Sequence, residues 1–342
     1  MTGERLDDIA GAMMSKGQGL LAADESTATI ARRFDTIGLA STETSRRDYR
    51  EMLFRASDAM KPCISGVILY EETLFQKAED GTPLVDLIRA AGAVPGIKVD
   101  LGAKPMAGFP GETLTEGLDG LPDRLARYYE AGARFAKWRG VIAISETLPS
   151  PGAVKANAQA LARYAALCQA AGLVPIVEPE VLMDGTPGDH SIARSEEVTE
   201  ATLRIVFEEL ASQRVALEGM ILKPSMVIDG KHARKAKVDE VAERTVGVLK
   251  RTVPAAVPGI AFLSGGQSTE EATAHLSTMV SGFTLPWTLT FSYGRALQAE
   301  ALAAWKGKQE NIAAGQRAFT HRARLCSLAA LGGWRRELEL AA

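Results

Sequence analysis

Short apolar runs alternate with longer amphipathic stretches along almost the whole chain. The runs at residues 19–23, 64–69, 94–99, 133–138, 173–177, 217–222, 259–263 and 287–291 predict strands. Apolar positions at helical spacing predict helices over 43–59, 153–171, 194–212, 238–252 and 268–280. Strands that alternate with helices imply a parallel sheet wrapped by helices. Eight of them predict an α/β fold of the closed (β/α)8 TIM-barrel type. No linker rich in Pro, Gly or Ser divides the chain, so residues 1–342 are expected to form a single domain. A helical C-terminal extension is expected from about residue 308, with 333–342 fraying.

Composition narrows this picture only a little. A length of 342 residues, 46% hydrophobic and 24% charged, suits one soluble barrel. A net charge of −3 gives no general attraction to nucleic acid or anionic membrane. Cys63, Cys168 and Cys326 are odd in number and far apart, which fits a reducing compartment and no disulfide framework. The first residues are too polar and acidic for a signal peptide, and no segment has the unbroken apolar length of a membrane span. A cytoplasmic protein with no nucleic-acid or membrane partner is expected.

A barrel makes a sharp prediction, because its catalytic groups gather at the C-terminal strand ends. Taken in order, those ends carry Asp24, Glu71 and Glu72, Lys98 and Asp100, Lys137 and Arg139, Glu178 and Glu180, Lys223, Ser264 and Arg295. Lys223 stands out: it closes the apolar run Met220-Ile221-Leu222 and precedes Pro224, which cannot continue a central strand. Side chains two apart on a strand point the same way, so Lys137 shares a face with Arg139, and Glu178 with Glu180. If that face is the barrel mouth, cations and carboxylates converge around Lys223. A buried structural ion-pair network would look similar in sequence.

This set suits Schiff-base chemistry. An amine desolvated beside another cation loses proton affinity and can attack a ketone carbonyl. Lys137 is placed to act on Lys223 in this way. A carboxyl group of raised pKa would then shuttle protons to expel water from the carbinolamine. The iminium so formed is an electron sink, and the neighbouring C–C bond can break.

Two glycine loops either close tight βα turns or hold phosphate, and Arg295 favours phosphate. Leu263-Ser264-Gly265-Gly266-Gln267 follows the seventh strand, and Ser292-Tyr293-Gly294-Arg295 the eighth. Glycines let backbone N–H groups approach an anion, and barrels often hold phosphate there. Other signals are weaker. Gly17-Gln18-Gly19 precedes an apolar run instead of following a strand, so it is a poor dinucleotide fingerprint. His190, His232, His275 and His321 lack metal-ligand spacing, so neither a metal nor another cofactor is expected. The basic run from Lys231 to Lys237 is read as a solvated loop.

At these residues the chain resembles class I fructose-bisphosphate aldolase, the metal-independent, Schiff-base type. The resemblance rests on Leu21-Ala-Ala-Asp-Glu-Ser-Thr27, Cys63-Ile-Ser-Gly-Val-Ile-Leu69, Gly96-Ile-Lys-Val-Asp100, Phe135-Ala-Lys-Trp-Arg139, Val174-Pro-Ile-Val-Glu-Pro-Glu180, Leu222-Lys-Pro-Ser-Met226, Phe262-Leu-Ser-Gly-Gly-Gln-Ser268 and Thr290-Phe-Ser-Tyr-Gly-Arg-Ala-Leu297. These motifs stand in family order and reach to about Leu328. The resemblance implies reversible cleavage of fructose 1,6-bisphosphate in cytosolic glycolysis or gluconeogenesis, commonly by a homotetramer.

By motif match it also implies roles. Lys223 would form the Schiff base and Glu178 would be the main acid and base. Asp24 would orient the C4 hydroxyl and assist C–C cleavage. Lys137 would tune Lys223, with Glu180 and Arg139 in support. Ser264, Gly265, Gly294 and Arg295 would hold the ketone-side phosphate. Lys98, Ser26, Thr29 and Arg33 would approach the far one. The chain departs from many members in having Ala28 for glycine, Thr29 for serine and no tyrosine after Tyr293. Another phosphorylated ketose as substrate, or a scaffold that has lost the reaction, are the alternatives.

Overall fold

Eight parallel strands close into a barrel in sequential order: β1 (Gly19–Ala23), β2 (Ile64–Leu69), β3 (Val94–Lys98), β4 (Phe135–Ile142), β5 (Val174–Val181), β6 (Ile221–Leu222), β7 (Gly259–Phe262) and β8 (Thr288–Tyr293). The computed structural model describes residues 4–183 and 188–340. β1 pairs with both β2 and β8, which closes the ring. A small antiparallel ribbon, Ala103–Pro105 with Thr113–Thr115, sits between β3 and β4.

The two-residue strand period sorts the interior into layers. Leu20, Ala22, Ile68, Phe135, Val174, Ile176, Ile221 and Ala261 fill the lower barrel, and Ile9, Ala10 and Met13 of helix Leu6–Met13 plug its base. Phe135 takes so much room that Gly96 is required opposite it: a Cβ there would lie 2.2 Å from the ring. Further along the same faces the side chains become Asp24, Lys98, Lys137, Arg139, Glu178, Glu180 and Lys223, and these line a cleft at the strand ends. The core is thus apolar below and ionic above. The alternate residues, such as Trp138, Val177, Leu222 and Phe262, pack outward under the helices.

Several boundaries differ from the sequence expectation. β4 and β5 run on to Ile142 and Val181, because the charged residues that interrupt their apolar runs point into the barrel mouth and leave the ladder intact. β6 is shorter than expected: Leu217–Gly219 form a 3₁₀ turn, and the strand is Ile221–Leu222. The Lys223 N–H still donates to the Val177 carbonyl at 2.8 Å, so the residue that follows β6 stays tied to β5. The helix expected over 43–59 breaks at Arg55–Ala56 into Glu43–Phe54 and Ser57–Cys63.

Of the segment expected to fray, residues 336–340 are docked, and 341–342 lie outside the described residues. Residues 336–340 form a 3₁₀ turn in which Glu339 accepts hydrogen bonds from Arg322 at 2.7 and 3.0 Å and from the Trp334 indole at 2.9 Å. Arg322 is buried, and an unpaired buried cation would be costly. Helix Ile312–Ala330 itself, part of the expected extension, packs against Arg295–Trp305.

Candidate active site

The cleft at the strand ends has a volume of about 590 Å3 and is lined by every residue given a catalytic or substrate-binding role above; of the strand-end residues, Glu72 lies outside it, paired with Arg46 at 2.5 Å. Asp24 lies one residue past β1, Lys98 ends β3, and Lys137 and Arg139 lie within β4. Glu178 and Glu180 lie within β5, and Lys223 follows β6. The β4–β5 register places Arg139 beside Glu178 and Val141 beside Glu180. Strand pairing therefore brings the cations and carboxylates together.

Glu178 bridges the two buried lysines. Its Oε1 lies 3.2 Å from Lys223 Nζ and its Oε2 lies 3.2 Å from Lys137 Nζ. Lys137 Nζ also contacts Asp24 Oδ2 at 2.8 Å. The lysine and Glu178 side chains are no more than 5% exposed. Arg139 is paired with Glu180, and Lys98 with Asp100 at 2.8 Å.

The charge states follow from competition between burial and neighbours. Burial disfavours the Lys137 ammonium, but Asp24 and Glu178 more than offset this, so Lys137 holds its proton more tightly than an ordinary lysine. Burial likewise opposes ionisation of Asp24, yet Lys137 and Lys223 hold its carboxyl down at about 2. For Glu178 burial again pushes upward, and Lys137, Lys223 and Arg139 together bring it below the usual carboxylate range. The expectation of a raised carboxyl pKa is therefore wrong for this arrangement, because three cations outweigh the loss of water. Nor do the two lysines face each other bare, since a carboxylate lies between them.

The remaining residues form two flanks. On one, Ser264 and Gly265 follow β7; a Cβ on Gly265 would come within 3.1 Å of Glu180 Oε1. Gly294 begins helix Arg295–Trp305 and offers no side-chain cap. The first N–H groups of that helix thus remain available to an anion at the cleft. Arg295 donates to the neutral Gln267 carbonyl at 2.8 Å. On the other flank, Ser26 caps helix Thr27–Asp35, and its hydroxyl lies 3.1 Å from that of Thr29. Arg33 is paired with Glu25 and reaches toward Gly294, close to the β8 loop.

Sequence reasoning assigned no part to Glu25 and no role to Asp100. Asp100 is buried and accepts from the Gly102 N–H at 3.2 Å and the Arg139 N–H at 3.4 Å, besides binding Lys98. Its spacing of two from Lys98 was the available signal. Elsewhere, His190 and His275 are buried, His232 is exposed, and residues 231–237 form an exposed loop. Among the described residues, no three His, Cys, Asp or Glu side chains are grouped to hold a metal ion. No described helix is long and apolar enough to cross a membrane. The three cysteines are free and buried.

Comparison with known proteins points to one family. The family model for fructose-bisphosphate aldolase class-I matches residues 5–342. The chain is 55% identical to the probable fructose-bisphosphate aldolase class 1 of Xanthomonas campestris pv. campestris, covering 98% of this chain and 100% of that one. It is 53% identical to the cytosolic fructose-bisphosphate aldolase 6 of Arabidopsis thaliana, covering 95% and 90%. Its fold matches the fructose-bisphosphate aldolase of Plasmodium falciparum, solved with TRAP and a small-molecule inhibitor. The TM-score is 0.93 at 47% identity, over 96% of this chain and 95% of that one. A closed barrel with an ionic mouth, matched over nearly its whole length by these relatives, makes this chain a member of the class I fructose-bisphosphate aldolase family, an aldehyde-lyase.

Proposed function

We propose that the chain reversibly cleaves fructose 1,6-bisphosphate to dihydroxyacetone phosphate and glyceraldehyde 3-phosphate through a Schiff base on Lys223. The observation that carries this reading is the Glu178 bridge, with one oxygen 3.2 Å from Lys223 and the other 3.2 Å from Lys137 in a buried site. A carboxylate so placed can take the proton from Lys223 and free its nitrogen to attack the C2 ketone. The carbinolamine that results is neutral at nitrogen. One of the cations that held Glu178 ionised is then gone, while burial remains. Glu178 becomes more basic at the moment it carries the proton to the departing hydroxyl, and water leaves to give the iminium.

Asp24, held by Lys137, orients the C4 hydroxyl and assists removal of its proton. The C3–C4 electron pair moves into the iminium, the aldehyde departs, and an enamine stays on Lys223. Protonation at C3 and hydrolysis release dihydroxyacetone phosphate and restore the amine. Lys137 remains an ammonium throughout, and Glu180 keeps Arg139 aimed into the cleft. The uncapped helix at Gly294, Arg295 and the Ser264–Gly265 loop take the ketone-side phosphate. Lys98, Ser26 and Thr29 serve the other end, with Arg33 between the two. The same reading makes the whole chain one catalytic unit, metal-independent, cytosolic and homotetrameric.

Cleavage rates for fructose 1,6-bisphosphate and fructose 1-phosphate, with borohydride trapping by dihydroxyacetone phosphate, test this. The expected result is a higher kcat/KM for the bisphosphate and covalent inactivation by borohydride only when ketose is present. Near-equal kcat/KM would move the assignment to another phosphorylated ketose. The absence of trapping would remove the Schiff base. Arg295→Ala should raise KM roughly tenfold or more, the scale of one or two charged hydrogen bonds; an unchanged KM would make that loop structural only.

A further inference from the structure

We propose that Arg50 and Gln298 are positioning residues: together they clamp the backbone on both sides of Asp24 and hold its carboxylate where C–C cleavage needs it. The inference rests on the Schiff-base reading and extends it to groups outside the cleft. The β1 ladder ends at Ala23, which pairs with Leu69, so no strand neighbour holds the chain at Asp24. Two helix side chains do this instead. Arg50, from helix Glu43–Phe54, donates from Nε to the Ala23 carbonyl at 3.3 Å and from Nη2 to the Glu25 carbonyl at 3.0 Å. Gln298, from helix Arg295–Trp305, donates from Nε2 to the Ala22 carbonyl at 2.7 Å and to Glu25 Oε1 at 3.1 Å. The carbonyls just before and just after Asp24 are thus fixed by one planar guanidinium, whose fork suits two divergent acceptors.

This arrangement makes little sense as plain core. Arg50 and Gln298 are each only 1% exposed. Glu25 Oε2 stands 3.8 Å from Arg50, and neither that oxygen nor Arg50 Nη1 has a hydrogen-bond partner. Burial lowers the proton affinity of Arg50, so its charge is kept against a cost. An imperfectly paired buried ion is a poor stabiliser compared with apolar packing. What it supplies here is a fixed backbone beneath a carboxylate that is itself 2.8 Å from Lys137. Misplacement of a reacting group by about 1 Å can slow a reaction roughly a hundredfold.

The test separates adduct formation from cleavage. Dihydroxyacetone phosphate has no C4 hydroxyl, so its adduct needs Lys223 and Glu178 but not a correctly held Asp24. Arg50→Lys keeps the charge and loses the fork; Gln298→Met keeps the volume and loses the donor. In both folded variants, checked by cooperative melting, borohydride trapping with dihydroxyacetone phosphate should proceed at the parental rate. Single-turnover cleavage of fructose 1,6-bisphosphate should fall roughly tenfold for Arg50→Lys and about threefold for Gln298→Met. Parental cleavage rates in both variants would overturn the clamp, and so would trapping and cleavage that fall by one common factor. Should Arg50→Lys not fold, the same ratio in Gln298→Met decides. Failure of the Schiff-base reading shows separately, as no trapping in the unsubstituted enzyme.

Discussion

The mouth of the barrel and its outer helices carry ion-pair networks built from the same kinds of residue. On the outside, Arg244 and Arg251 contact Glu196 and Glu200 at 2.5–2.8 Å. In the mouth, Lys137 and Lys223 contact Asp24 and Glu178 at 2.8–3.2 Å. The outer pairs are the shorter ones, yet their side chains are 22–43% exposed. The inner ones are 4–12% exposed. Distance therefore does not single out the chemistry. Water screens the outer charges, and each exposed pair stabilises by at most about 1 kcal/mol. The inner charges have lost that screening, so each protonation state depends on its neighbours, and a proton moved from one group changes the others.

The comparison can be broken at several points. The largest effect should come from Lys223→Met, which removes the proposed nucleophile. kcat should fall roughly 10,000-fold or more, measured by coupled assay. Glu178→Gln keeps the shape of the bridge but cannot carry a proton. Single-turnover cleavage should slow roughly 100- to 1,000-fold, with carbinolamine accumulating. Unchanged single-turnover kinetics would separate Glu178 from the chemistry.

A third test concerns burial without catalysis. His275 sits beneath the β7 loop, 2.7 Å from Gln267 Oε1, and burial lowers it to about 4, against a smaller upward pull from Glu271. The unfolded chain, with histidine near 6.5, binds more protons than the folded one between those values. The stability due to neutral His275 is therefore complete above about pH 6.5 and is lost as pH falls toward 4, by about 3 kcal/mol in all. Urea unfolding across that range should show the loss in the parent and a flatter profile in His275→Gln. The smallest effect belongs to the outer network. Arg251→Ala should change stability by about 1 kcal/mol or less and leave kcat unaltered.

Much of this contrast was legible in the sequence. Apolar runs ending in Lys, Glu or Asp located the mouth, and the period of two placed Lys137 with Arg139 and Glu178 with Glu180 before any contact was visible. The same charged residues hid the true length of β4 and β5, because an inward-facing ion interrupts hydrophobicity without interrupting hydrogen bonding. The state of Glu178 was not legible. It depends on three cations gathered around one carboxylate, and only the closed barrel fixes that. Arg50 and Gln298 left no signal either. They come from helices distant in sequence, and they act on carbonyl groups, which every residue possesses. The docking of residues 336–340 was hidden similarly, since Arg322 is one more polar residue in an Arg-rich helix until its burial is known.

The central claim is that one buried amine, bridged to its acid–base partner, bonds covalently to the sugar. Mass mapping of the enzyme reduced with borohydride in the presence of dihydroxyacetone phosphate reads this directly. The account predicts one adduct per chain, on the peptide that contains Lys223, and none on those that contain Lys98 or Lys137. An adduct on Lys137, or none at all with active enzyme, would contradict it.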